Sequence, residues 1–176
     1  NVSALSTALA GSEYLAGHVD TAYAEYDAIL EAARQARDLR GEGDALVGLG
    51  GCLSTIQEHR MAASLFVQAA EVLSGAGFAD RADLAHLEAA QSLLWAGRPA
   101  EAQALVERAS RGAGQSADIR ARLTLLAAQM DLRRGDAERA IALLQTIVAR
   151  VPSDAQAIAR LSLLFAKTER TADLLA

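Results

Sequence analysis

The chain has 176 residues, with 22 acidic and 17 basic side chains, a net charge of −5 and a hydrophobic fraction of 52%. This length is sufficient for one ordinary domain with a hydrophobic core. Ala, Leu, Arg, Glu and Gln dominate, and these residues favour helices, while the 2 prolines leave few sites that interrupt them. The composition therefore predicts an all-α fold, and the negative net charge argues against a nucleic-acid partner.

Ten helices are predicted along the chain, joined in pairs by short turns. Pro99 lies at the start of the sixth helix, where proline suits the first turn. Asp20 and Asp136 are placed to cap the second and eighth helices. Ser153 and Gln156 have the spacing of a capping box before the ninth. The predicted helices span residues 2–16, 19–39, 43–56, 59–74, 80–96, 99–111, 116–134, 137–150, 154–167 and 170–176.

The helix pairs repeat along the chain. An alanine follows each intrapair turn, at Ala22, Ala62, Ala102, Ala140 and Ala172, in steps of 40, 40, 38 and 32 residues. Mostly aliphatic or aromatic residues occur four and seven positions later, which places them with the alanine on one helix face. Twelve positions earlier the residue is small in four of five repeats. A period of this size indicates a helical solenoid.

The repeats predict one domain over residues 1–176, with units at about 2–39, 43–74, 80–111 and 116–150 and a partial unit at 154–176. The chain begins at Asn1 rather than Met, which favours a fragment of a larger or processed protein. The sequence contains no run of 18 apolar residues, so it predicts no membrane-spanning helix. The sequence therefore predicts a cytoplasmic protein with no membrane partner.

The repeat pattern resembles the tetratricopeptide repeat (TPR). The fourth unit carries it best, at Ala127, Ala128, Gly135, Ala140, Leu144, Ile147 and Pro152. The third unit is similar, at Ala90, Gly97, Ala102 and Ala109. The period exceeds the usual length of about 34 residues, and the chain resembles the long-repeat variety found in bacterial signalling and regulatory proteins. The resemblance implies a right-handed superhelical solenoid of antiparallel helix hairpins.

The sequence predicts no catalytic residue, no metal site and no cofactor. The three histidines lack ligand spacing with Cys52, and His18 and His59 are predicted to be solvated turn residues. Cys52 falls inside a helix, which favours a small buried hydrophobe over a nucleophile. Residues 48–51 are glycine-rich but lack the Lys-Ser/Thr of a phosphate-binding loop. Two interpretations remain for these glycines, close helix packing or a widened groove.

In the family that the chain resembles, the first helices of the hairpins line a concave groove. The resemblance places six polar or amphipathic residues on that surface, namely Tyr14, Glu88, Gln91, Trp95, Gln129 and Arg133. Trp95 and Arg133 are predicted to form a central pair, because Trp and Arg often dominate interfaces. The alternative is that Trp95 caps the core between the third and fourth units. One family branch clamps a peptide carboxylate with Lys and Asn, which are absent from the matching positions here.

The predicted function is non-catalytic binding of a protein or peptide in the concave groove. Stacked hairpins offer a preformed surface, which lowers the ordering cost of binding an extended segment. The alternative is an effector- or peptide-sensing module of a larger bacterial signalling or transcription-regulatory protein. A helix ending at Ala176 is predicted to leave an apolar C-terminal edge that favours self-association.

Residues 1–88 contain 13 acidic and 5 basic side chains, whereas residues 89–176 contain 9 acidic and 12 basic ones. The net charges of the two halves are therefore −8 and +3. This asymmetry is either a random property of a solvated helical surface or a means of attracting a partner of mixed charge.

Overall fold

A computed structural model describes residues 2–111, 116–150, 158–159 and 161–163 of the chain. Every regular element in these residues is a helix, which confirms the predicted all-α fold. The helices are α1 (Val2–Leu15), α2 (Val19–Ala36), α3 (Leu39–Thr55), α4 (His59–Gly75), α5 (Ala79–Trp95), α6 (Pro99–Ser110), α7 (Ala117–Arg134) and α8 (Ala137–Arg150). The predicted helices at 154–167 and 170–176 lie mostly or wholly outside the described residues.

The chain divides into two compact units, residues 1–114 and 115–176. The first contains the hairpins α1–α2, α3–α4 and α5–α6, and the second helix of each hairpin packs on the first helix of the next one, α2 on α3 and α4 on α5. In the second unit α7 packs on α8, and Leu161 joins the core formed by Ala140, Ile141 and Leu144. These contacts confirm the predicted antiparallel hairpins.

Burial follows the repeat register predicted from the alanines. Ala22, Ala62, Ala102 and Ala140 each have 0% of their surface exposed. The residues four positions later are buried as well, at Tyr26, Phe66, Val106 and Leu144. The small residues on the first helices, Ala10, Gly50, Ala90 and Ala128, are buried. The positions that repeat in the sequence are therefore the positions that are buried in the core.

Six of the turns between helices share one backbone motif; the connection from α6 to α7 lies partly outside the described residues. In each of the six, a residue with positive φ donates its N–H to the carbonyl three positions earlier, and the next residue donates to the carbonyl five positions earlier. This is the Schellman arrangement, which satisfies the last carbonyls of a helix. The left-handed residues are Gly17, Arg37, Gln57, Gly77, Gly97 and Gly135. In the first compact unit they recur every 20 residues, so each helix with its turn is half of a 40-residue period.

The boundary between α2 and α3 differs from the prediction. The second helix was predicted to end at residue 39 and the third to begin at 43, but α2 ends at Ala36 and α3 begins at Leu39. The Asp38 side chain caps α3 by accepting a hydrogen bond of 3.0 Å from the Gly41 N–H. Gly41 is buried in the first turn of α3 rather than placed in a loop.

The glycine-rich stretch of α3 lies against the second helices of two hairpins. A Cβ atom at Gly48 would lie 2.4 Å from the Tyr26 ring, and one at Gly50 would lie 2.8 Å from the Phe66 ring. Carbon atoms normally approach no closer than about 3.5 Å. The interpretation of these glycines as sites of close helix packing is therefore confirmed.

Candidate partner-binding surface

Tyr14 links the first helices of two successive hairpins. Its hydroxyl group lies 2.9 Å from Thr55 Oγ1, and Thr55 in turn donates to the Gly51 carbonyl at 3.1 Å. The Tyr14 hydroxyl oxygen lies 3.5 Å from the same carbonyl oxygen. The half-buried phenol is thus held at the C-terminal ends of α1 and α3. A side chain held in this way needs little further ordering when a ligand arrives.

Trp95 is the last residue of α5, and 52% of its surface is exposed. Its ring lies 5.1 Å from the His59 ring, centroid to centroid, at an interplanar angle of 46°. One part of the indole therefore rests on the first residue of α4, while more than half of the residue faces solvent. Trp95 is not one of the buried core residues of the first compact unit. The alternative interpretation, that it caps the core between the third and fourth repeats, stays a prediction, because these repeats belong to different compact units.

The contact with Trp95 changes the interpretation of His59. The prediction of a solvated turn histidine is correct for His18, which is exposed and lies 2.6 Å from Glu13. It is wrong for His59, which is half-buried. Its Nδ1 atom is shielded from solvent without a hydrogen-bond partner of good geometry. His59 thus supports the indole ring, and no pattern in the sequence indicates this contact.

The remaining predicted residues of the first compact unit are Glu88 and Gln91, both half-buried on α5. With Trp95 they have the spacing i, i+3 and i+7, which places all three on one face of the helix. Tyr14, Glu88, Gln91 and Trp95 therefore all lie on first helices of hairpins, as the repeat register predicts.

In the second compact unit, the predicted residues lie on α7. Arg133 is exposed near its C-terminal end, whereas Gln129 has only 7% of its surface exposed, which leaves it little area for a partner. Asp131 is buried and pairs with Arg134 and Arg139, at 3.6 and 3.2 Å. Trp95 belongs to the first unit and Arg133 to the second, so their pairing stays a prediction.

His86 lies on α5 with its side chain buried in the core of the first compact unit, and the sequence pattern did not indicate this. Only 3% of its surface is exposed, and neither ring nitrogen makes a hydrogen bond of good geometry. Burial lowers the pKa of His86, and the charge of Arg108 on α6 lowers it further. The backbone of Ala82 and the carboxylate of Glu71 on α4 act in the opposite direction and more weakly. The structure therefore favours the neutral imidazole.

The lowered pKa of His86 predicts a loss of stability in acid. Unfolded histidine has a pKa of about 6.5, and below this pH the unfolded chain binds a proton that the folded chain resists. The free energy of unfolding should therefore decrease as the pH falls from 7.5 to 5.5. His86→Leu should remove this slope in urea titrations at both pH values. The exposed His18 provides the control, since His18→Gln should keep the parent's slope. An unchanged slope in His86→Leu would contradict the prediction.

Cys52 does not have the surroundings of a nucleophile. It has 0% of its surface exposed, and burial raises the pKa of its thiol, which disfavours the reactive thiolate. Within the described residues, no group of three or more His, Cys, Asp and Glu side chains could hold a metal ion. No helix in the described part of the chain is long and apolar enough to cross a membrane.

Comparisons with known proteins agree with the repeat architecture. The TPR protein YrrB, whose crystal structure is described as having an unusual peptide-binding site, superimposes with a TM-score of 0.55 at 18% sequence identity. The match covers 93% of this chain and 76% of YrrB, and at this identity it shows the fold alone. No curated protein matches the sequence. The sequence profile described as "Tetratricopeptide repeat protein 21 ARM repeat" matches residues 15–172. With so much of its length matched, the chain belongs to the tetratricopeptide repeat protein 21 ARM repeat family.

Proposed function

We propose that the chain is a non-catalytic scaffold that binds an extended protein or peptide segment along the first helices of its hairpins. The observation that carries this proposal is the exposure of Trp95 on an otherwise aromatic-poor chain, with 52% of its surface open and its ring held against His59. Trp is among the residues that most often dominate binding energy at interfaces. Only 4% of the residues are aromatic and the chain has a single Trp, so few other side chains offer a large aromatic surface to a partner.

The other residues predicted on the first helices also suit a peptide ligand. Glu88 and Gln91 share its helix face and offer hydrogen-bonding groups to a peptide backbone. Tyr14 offers a phenol that is already fixed by Thr55. Arg133 on α7 adds an exposed guanidinium, a group that binds carboxylates or backbone carbonyls in a planar fork. YrrB, described as a TPR protein with an unusual peptide-binding site, supports a peptide ligand by analogy of fold.

We place this scaffold in the bacterial cytoplasm, in a signalling or regulatory protein, because of its long repeats. The small-effector alternative requires an enclosed pocket of several hundred Å³. The described residues of the first compact unit form a cavity of about 460 Å³, but it is an open groove between α1 and α2. This groove therefore suits a macromolecular ligand better than a small effector.

A peptide-selection experiment tests the proposed surface. Unstructured peptides are selected on the parent protein from a display library, and their affinities are then measured for Trp95→Ala and Arg133→Glu. Trp95→Ala should weaken binding roughly 30-fold, since a hot-spot residue contributes on the order of 2 kcal/mol and each 1.4 kcal/mol is tenfold. Arg133→Glu should abolish binding and leave the melting temperature unchanged.

Two matched variants control for non-specific effects. Tyr23→Ala removes an exposed aromatic residue from α2, a second helix, and Arg111→Glu reverses an exposed charge after α6. Both should bind the selected peptides as the parent does. If Trp95→Ala and Arg133→Glu also bind like the parent, the first-helix surface is not the binding site.

A further inference from the structure

Large apolar side chains are exposed around the turn that joins α3 to α4. Ile56 directly follows α3 and has 54% of its surface exposed, and Met61 in the first turn of α4 has 51% exposed. Between them in the chain lies His59, whose ring contacts the ring of the exposed Trp95. We call these four residues, Ile56, His59, Met61 and Trp95, the α3–α4 turn patch.

The fold does not require the apolar residues of this patch. The positions that correspond to Ile56 and Met61 in the neighbouring hairpins, 40 residues before and after, hold smaller or polar residues, namely Ala16, Thr21, Ala96 and Glu101. Helix turns are normally built from small and polar residues. Exposed apolar residues that lie together mark interaction sites, and Trp and Met are enriched in protein interfaces. The α3–α4 turn patch therefore has the composition of an interface.

Two opposite charges lie within the patch. Glu58 directly precedes His59 and Arg60 directly follows it, and both side chains are exposed. Among the described residues neither of the two forms an ion pair. The turns of the neighbouring hairpins, by contrast, each carry a contact between oppositely charged groups, namely Glu13 with His18 and Arg98 with Glu101. Glu58 and Arg60 are thus available to charges on a partner.

The order of these residues along the chain suits a second copy of the same chain. From Ile56 to Met61 the sequence runs apolar, Gln, acid, His, base, apolar. If two such stretches meet antiparallel about a twofold axis near His59, each apolar residue faces an apolar residue and each charge faces its opposite. In a twofold interface every contact between two different residues occurs twice. A partner of one charge sign would instead place a like charge against Glu58 or Arg60.

We propose that two copies of this chain form a twofold symmetric dimer through the α3–α4 turn patch. Ile56 of each copy packs on Met61 of the other, and Glu58 of each copy pairs with Arg60 of the other. The same surface is used on both copies, so association stops at the dimer. The apolar part of the patch consists of few side chains, and small interfaces are transient, so the dimer forms at high protein concentration. Because Trp95 belongs to the patch, a peptide that covers the indole competes with the second copy.

Charge reversal within the patch tests this pairing by sedimentation equilibrium. Glu58→Arg gives each copy two bases and Arg60→Glu gives each copy two acids, so either variant alone should stay monomeric where the parent is a dimer. An equimolar mixture of the two variants should form a 1:1 dimer, because every base then faces an acid. The double variant, with both reversals in one chain, should dimerise like the parent.

Matched variants outside the patch provide the control. Asp27→Arg on α2 and Arg111→Glu after α6 make the same changes of charge at exposed positions and should leave the dimer unchanged. Ile56→Ser keeps the charges and removes apolar contact, and it should weaken the dimer roughly tenfold. Circular dichroism and melting temperatures establish that each variant is folded.

Three results would overturn the proposal. The first is a parent that stays monomeric at every concentration, and the second is a parent whose mass grows past that of a dimer. The third is a mixture of Glu58→Arg and Arg60→Glu that associates no better than either variant alone. The mass measurements need no peptide, so failure of the dimer and failure of the proposed peptide binding are distinguished.

Discussion

Ala102→Leu and Ala140→Leu should each lower the free energy of unfolding by about 1–3 kcal/mol, the usual cost of overpacking a core. Both alanines have 0% of their surface exposed. Ala140 packs in one cluster with Ala128, Ile141 and Leu144, which leaves no space for three further carbon atoms. Urea unfolding, followed by circular dichroism, measures the change in each variant.

Arg111→Leu provides the comparison for both variants. Arg111 is exposed directly after the last residue of α6. Surface substitutions of this kind usually change stability by no more than about 0.5 kcal/mol. Equal urea midpoints for the three variants would contradict the repeat register, because the register is what assigns Ala102 and Ala140 to the interior.

The core could be predicted from the sequence because its period is simple. Alanines that recur after each turn, with larger apolar residues four positions later, locate one buried face per second helix, and Ala22 and Tyr26 are buried as this pattern requires. The predicted boundary at α2–α3 was wrong, because residues 40–42 were left between the second and third helices although they belong to the first turns of α3. The glycines in this part of α3 serve packing, since a Cβ at Gly43 would lie 2.5 Å from Leu73 Cγ.

The 20-residue spacing of the turns could not be recognised in the sequence, because two of the five turns in the first compact unit have no glycine. Glycine marks a left-handed turn residue in sequence, and it occurs at Gly17, Gly77 and Gly97. Arg37 and Gln57 adopt the same conformation, with φ of 55° and 66°, although a left-handed conformation costs a residue with a Cβ roughly 1–2 kcal/mol. Both residues complete the same pair of turn hydrogen bonds as the glycines, and an Arg or a Gln in the sequence does not indicate a left-handed residue.

For the candidate site, the repeat register predicts which helix each residue lies on, but not what the residue contacts. Register places Tyr14 and Trp95 on first helices, which the structure confirms. It contains no information on contacts between helices of different hairpins, and these decide the environment of His59 and His86. His59 contacts a tryptophan 36 positions further along the chain. His86 is buried although its polar ring suggests exposure.

Gly48→Ala and Gly50→Ala should destabilise the fold, while Gly51→Ala should stabilise it or leave it unchanged. A methyl group at Gly48 would overlap the ring of Tyr26, which is buried and has little freedom to move. The expected loss is about 1–3 kcal/mol, as for other overpacked cores. At Gly51 the new Cβ would lie 3.8 Å from Tyr14, an ordinary contact distance. Alanine there gains about 0.5–1 kcal/mol over glycine, because it restricts the unfolded chain.

The three Gly→Ala variants should change the free energy of unfolding in opposite directions although they lie in one helix. This difference distinguishes close packing from a general effect of helix propensity. Propensity alone predicts that all three alanine variants stabilise α3 by similar amounts. Close packing predicts that Gly48→Ala is harmful only while the Tyr26 ring is present. In the background of Tyr26→Leu the cost of Gly48→Ala should therefore shrink, and the double-mutant cycle in urea measures that coupling. A penalty of the same size in both backgrounds would mean that the Tyr26 ring is not what requires glycine at position 48.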